Sequence, residues 1–121
     1  FVAAAFAEGT SEFTGLDELR VKETDRLAAM AAGLKRCGVD VEERKDALLV
    51  HGKGPKGVVG PPEGAAAIAT ELDHRIAMAF AIMGLAAQRP VQLDDAAPSA
   101  TSFPSFAELM RGLGAMLEEA V

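Results

Sequence analysis

The sequence predicts an α/β fold in which helices and short strands lie in layers. Three observations carry that expectation. Leu27, Met30, Ala31, Leu34 and Cys37 recur at helical spacing and form one apolar stripe. Val39 to Glu43 and Ala47 to His51 read as two strands around a Lys45-Asp46 turn. Asp73 to Ala87 is apolar nearly all round, the pattern of a helix buried on most faces. Helices with buried faces mixed among short strands stack against a sheet.

The elements follow in order. Phe1 to Ala7 reads as the tail of a helix, closed by Glu8-Gly9, because glycine suits the left-handed turn after a helix. Thr10 to Thr14 is a strand. Thr24 is the expected N-cap of the next helix, with Asp25 in its first turn. Lys35 and Arg36 fall in the last turn and Gly38 ends it. Gly52 to Gly64 holds five Gly and three Pro and reads as a surface loop, with a short strand at Val58-Val59. Its Lys53 and Lys56 do not have phosphate-loop spacing. Beyond the Asp73–Ala87 helix, Pro90 to Asp94 is a strand. Phe103, Phe106, Leu109, Met110 and Leu113 mark a third amphipathic helix with Pro104 in its first turn, where a missing N–H costs little. Gly114 ends it, and Ala115 to Glu119 is a final strand candidate.

Composition excludes several functions. A chain of 121 residues suits one domain at most. Twelve Lys+Arg against eighteen Asp+Glu give a net charge of −6, which argues against a general nucleic-acid binder. The single Cys37 can form neither an internal disulfide nor a cysteine-based zinc site, and its place on the apolar stripe makes it a small core residue. The longest apolar run, Ile76 to Ala87, is well short of the ~20 residues that cross a bilayer. With no signal peptide visible, a cytoplasmic setting is expected. The chain opens at Phe1 inside an apolar run, so residues 1–121 are expected to be a single partial domain of a longer protein.

Two segments carry the chemistry. Arg20-Val21-Lys22-Glu23-Thr24-Asp25-Arg26 sets three cations beside Glu23 and Asp25 at a helix start. Leu72-Asp73-His74-Arg75 repeats the pattern, with Asp73 as cap and His74 and Arg75 in the first turn. Cations at the positive end of a helix cost roughly a few tenths of a kcal/mol unless an anion offsets them. One reading is local pairing: Lys22 and Arg26 with Glu23, Asp25 or Glu18, and Arg75 with a buried carboxylate while His74 donates to backbone. The other is that both helix starts face one cleft, where Lys22, Arg26, His74 and Arg75 focus a small, highly charged anion. Glu23 and His74 are then candidates for proton transfer. Thr101-Ser102 precedes the third helix and is expected to cap it. His51 ends a strand and is expected to be exposed.

Leu19-Arg20-Val21-Lys22-Glu23-Thr24-Asp25-Arg26-Leu27, Asp73-His74-Arg75-Ile76-Ala77-Met78 and Thr101-Ser102-Phe103-Pro104 resemble, in this order and at similar spacing, the 5-enolpyruvylshikimate-3-phosphate synthase family. The resemblance covers essentially the whole chain and roughly the last quarter of such an enzyme. It implies a transferase of aromatic amino-acid biosynthesis that moves the enolpyruvyl group of phosphoenolpyruvate to the 5-hydroxyl of shikimate 3-phosphate. It implies no cofactor or metal, a monomeric cytoplasmic parent that is a glyphosate target, and two similar domains built of βαββαβ units around a cleft. This chain would be about the last one and a half units of one domain. Carried over by motif, Lys22 assists at the 5-hydroxyl and Glu23 transfers a proton at the methylene carbon. Arg26 and Arg75 bind the phosphoenolpyruvate, with His74 beside them and Thr101 as a further substrate contact. Many family members have lysine where this chain has Thr101, and one branch has threonine. The family's catalytic aspartate falls upstream of Phe1, and the opposing domain is outside the chain, so the 121 residues alone are expected to be inactive. The rival readings are the fold-sharing UDP-N-acetylglucosamine enolpyruvyl transferase and a non-catalytic anion-binding or interaction module.

Overall fold

The computed structural model describes residues 1–119. Helix α1 spans Val2–Ala5, strand β1 Thr10–Phe13, and a 3-10 turn Asp17–Val21. Helix α2 spans Arg26–Arg36, strands β2 and β3 Asp40–Glu43 and Leu48–His51, and helix α3 His74–Ala86. Two short helices follow, α4 at Ser99–Ser102 and α5 at Phe106–Gly112.

The expected hairpin forms, and β1 joins its far side. The sheet order is β1-β3-β2, antiparallel throughout, with Thr10 and Asp40 both opposite His51. Alternation on the central strand buries Leu48 and Val50. The α2 stripe meets this face: Leu27, Met30, Ala31 and Leu34 are buried, and Cys37 is fully buried just beyond the helix. Gly38 takes the left-handed turn there, with φ of 83°.

Helix α3 crosses α2 at close range. Gly33 of α2 has no side chain, and the fully buried ring of Phe80 occupies that space. Ile76, Ala77 and Met83 complete the buried face of α3. The expectation of burial on most faces does not hold within this chain. Ile82 and Leu85 are exposed, because the described elements cover one side of the helix only.

Several other expectations are corrected. Pro90–Asp94 forms only a single parallel bridge, Ile68 with Leu93, because Ile68 alone lies alongside it. Val58 and Val59 form no strand, although their carbonyls accept from the Gln88 and Arg89 amides. The third helix begins at Phe106 and not at Phe103. Phe103 is forced out of helical geometry ahead of Pro104, at φ −141° and ψ 75°. Residues 115 to 119 carry no strand, and the rest of the chain lies outside the described residues. His51 is half-buried, with Nδ1 2.8 Å from the Thr10 hydroxyl across the β1–β3 pair.

Candidate active site

The start of α2 is built on Asp25. Its carboxylate accepts from the Ala28 amide at 2.9 Å, so Asp25 is the N-cap, one residue later than the expected Thr24. Both residue types cap well, and the carboxylate answers the positive helix end more strongly than a hydroxyl. Arg26 is therefore the first helical residue. It is buried, where the sequence suggested a solvated cation or one open to a ligand.

Asp73 explains that burial. Its fully buried carboxylate accepts from Arg26 Nε at 2.8 Å and from Arg26 Nη2 at 3.3 Å. It also accepts from the Arg75 amide at 2.9 Å, capping α3 as expected. One side chain thus ties two helix starts 47 positions apart in the chain. Burial works to raise the Asp73 carboxyl, but the Arg26 and Arg75 hydrogen bonds outweigh it and hold the pKa below its usual value. The Asp73 hydrogen bond in turn raises the Arg26 guanidinium.

The remaining candidates lie at different depths. Glu23 bonds Arg26 Nη2 from the exposed loop before α2. Lys22 is exposed, 3.7 Å from Glu18. Local pairing therefore describes Lys22 and Arg26, while the expected buried Arg75–carboxylate pair is replaced by Arg26–Asp73. Arg75 is exposed, and its guanidinium makes no ion pair with any described residue. His74 is half-buried, with Nδ1 4.0 Å from Asp73 Oδ1. Arg26 and Arg75 line one largely apolar cavity of about 370 Å³, walled by Leu19, Met30 and Ile76. Arg75 and His74 line a second, of about 410 Å³, with Ser102 and Phe103. Arg75 stands at the junction of the two.

Thr101 does not cap the third helix, whose N-cap is Ser105. It lies in α4 and donates its hydroxyl to the Pro98 carbonyl at 2.7 Å. Ser102, its neighbour, reaches the second cavity. The backbone leading into Asp73 is unusual. Glu71 and Leu72 both have φ of 54°, a left-handed conformation that side-chain-bearing residues rarely adopt in succession. Bonds on either side hold it: Thr70 is buried and donates to Asp94 at 2.8 Å, and Asp73 is fixed as above. One contribution is not legible in the sequence, the Asp73 clasp on Arg26. The sequence pattern identifies Asp73 only as a cap, and the isolated carboxylate next to a paired His74-Arg75 is the signal for more.

Two motif-bearing helix starts locked by a buried Arg–Asp pair invite comparison with known proteins. Residues 1–110 match the EPSP synthase (3-phosphoshikimate 1-carboxyvinyltransferase) family. The chain belongs to that family. A 3-phosphoshikimate 1-carboxyvinyltransferase of Paramagnetospirillum magneticum is 61% identical over 116 residues, which are 96% of this chain and 25% of that protein. One from Methylorubrum populi is 58% identical over 118 residues, again 25% of its length. The solved EPSP synthase of Acinetobacter baumannii superposes with a TM-score of 0.88 at 40% identity, over 97% of this chain and 26% of that one. The chain thus spans about a quarter of the length of these relatives, and its fold is part of an enolpyruvyl-transferase domain. Among the described residues no helix is long and apolar enough to cross a membrane. No group of three or more His, Cys, Asp or Glu among them could hold a metal ion.

Proposed function

We propose that this chain supplies one wall of the active site of a two-domain transferase, as a single partial domain from its C-terminal end. The reaction moves the enolpyruvyl group of phosphoenolpyruvate to the 5-hydroxyl of shikimate 3-phosphate. The 5-hydroxyl oxygen adds to C2 of phosphoenolpyruvate while the methylene carbon takes a proton. Loss of phosphate and of a methyl proton restores the double bond. Family membership and the joined helix starts support this reading, and the observation that carries it is the Arg26–Asp73 clasp.

The residues take roles that the geometry can serve. Arg75, exposed at the junction of two cavities at a helix start, binds the carboxylate or phosphate of phosphoenolpyruvate, with His74 beside it. Arg26 keeps Asp73 on one edge of its guanidinium and offers the edge now bonded to Glu23. An arriving anion competes with Glu23 there, and Glu23 is released to exchange the proton at the methylene carbon. Lys22, on the same loop, assists at the 5-hydroxyl. Thr101 donates to a substrate anion only by giving up its bond to Pro98. Prepositioned cations then neutralise a trianion. The rest of the polypeptide supplies the opposing domain. The parent enzyme acts as a cytoplasmic monomer.

The test is phosphate release. The complete enzyme should release phosphate only when both substrates are present, and the isolated 121-residue chain should release none. Arg75→Ala in the complete enzyme should weaken phosphoenolpyruvate use by roughly 10²-fold, as loss of a charge-assisted contact does. A complete enzyme inert toward this substrate pair would refute the reading.

A further inference from the structure

The loop that carries Lys22 and Glu23 is held little by packing, with only Thr24 half-buried. Val21 is 79% exposed, and Lys22 and Glu23 are exposed too. A catalytic pair on such a loop needs polar ties, and one side chain provides most of them. Arg20 Nε donates to the Lys45 carbonyl at 3.0 Å and Nη2 to the Arg44 carbonyl at 2.5 Å. Its Nη1 donates to Glu43 at 2.6 Å and to both oxygens of Asp25, at 3.2 and 3.3 Å. All three guanidinium nitrogens are engaged. The partners lie in two places, the end of β2 with the turn that follows it and the N-cap of α2. Arg20 precedes the loop and Asp25 follows it, so this one guanidinium closes residues 21–24 into a bracketed segment anchored to the sheet.

We infer that Arg20 is a positioning residue for Lys22 and Glu23, a claim that rests on the transfer reading above for its catalytic consequence. Removal of the fork frees the loop while leaving the helix starts and the Arg26–Asp73 clasp in place. Lysine preserves the charge but cannot reproduce a planar fork with acceptors on both edges. Arg20→Lys should therefore cost turnover out of proportion to stability.

The experiment uses the complete enzyme and four proteins: wild type, Arg20→Lys, Glu23→Gln and the double variant. Arg20→Lys should lower kcat by roughly 10²-fold, the scale of a small misplacement of a reacting group. Its Tm should move by less than about 2 °C. In the Glu23→Gln background the same change should cost clearly less than it does in wild type, because only Lys22 is then left for Arg20 to position. Cleavage by a Glu-specific protease after Glu23, a site all Glu23-bearing variants share, should quicken about tenfold in Arg20→Lys as the loop opens. Should Arg20→Lys fail to fold, Glu43→Gln removes one tie and serves as the milder variant. An Arg20→Lys effect of full size in the Glu23→Gln background, or a fall in Tm with kcat per folded molecule unchanged, overturns the inference. If wild type releases no phosphate, the transfer reading falls, and the protease measurement alone decides whether Arg20 holds the loop.

Discussion

Replacing Gly33 by alanine should destabilise the fold, against the usual sign for that change in a helix. In an exposed helix interior the substitution stabilises by about 1 kcal/mol, since glycine pays extra backbone entropy. Here a Cβ would lie within 2.8 Å of Phe80 Cε1 and closer still to Cε2 and Cζ. Phe80 is fully buried on α3, so its ring has no open space to swing into. The helices must part or the ring must leave its rotamer, an overpacking cost of about 1–3 kcal/mol. The net expectation is a loss of about 0–2 kcal/mol where propensity alone gives a gain of about 1. Urea denaturation of the chain, followed by far-UV circular dichroism, measures it as a lower midpoint at unchanged slope. Phe80→Leu isolates the cause: that change removes ring atoms, costs stability itself, and should turn Gly33→Ala neutral or favourable. A Gly33→Ala protein about 1 kcal/mol more stable in the wild-type background would refute the close-contact argument.

Four further outcomes are expected. Asp73→Asn leaves Arg26 buried beside a neutral partner and should cost about 3–5 kcal/mol, read as a lower urea midpoint, whereas Asp46→Asn on the exposed turn should not. Because the folded Asp73 pKa is depressed, its stabilisation is complete above the unfolded carboxylate value near ~3.9 and is lost as pH falls through the folded value; an acid titration of stability should lose that part of the drop in Asp73→Asn. Burial pushes the Cys37 thiol up to about 11, so a thiol reagent at pH 8 should label it only after denaturant is added. Leu72→Gly relieves a left-handed residue and exposes no core, so stability should rise by up to about 1 kcal/mol or stay level, and a loss larger than that would show that Leu72 is held by more than its neighbours' bonds.

What could be read from the sequence was local. The α2 stripe and the β2–β3 hairpin depend on neighbours within a few residues, and both stand as expected. Asp73 as a cap was equally local, since its acceptor role reaches only to the Arg75 amide. Its hold on Arg26 was not, because nothing in either segment names a partner 47 positions away. The cap of α2 failed on a near tie between adjacent residues, settled by a carboxylate that also meets Arg20. The Pro90–Asp94 strand failed for a different reason. Its residues suit an extended backbone, but a strand needs a neighbour along its length, and only Ile68 is beside it. The third helix was displaced by Pro104 acting on the residue before it, a constraint the apolar spacing does not show.

The two cationic helix starts pose an electrostatic problem that the fold and the site solve with the same residue. Arg26 and Arg75 each add positive charge where the helix already presents unpaired N–H groups. Asp73 relieves both ends at once, as the cap of α3 and the partner of Arg26. With its negative charge spent on Arg26 and the Arg75 amide, none is left for the Arg75 side chain, which stays exposed. A second buried carboxylate there would settle the local field and remove the attraction for an anionic ligand. The left-handed Glu71-Leu72 backbone leads directly into Asp73 at this point between two helices. Stability and ligand attraction are therefore coupled through one side chain: Asp73→Asn should weaken the fold and, in the complete enzyme, also loosen the orientation of Arg26, while Arg75→Ala should leave the fold intact and weaken anion binding alone.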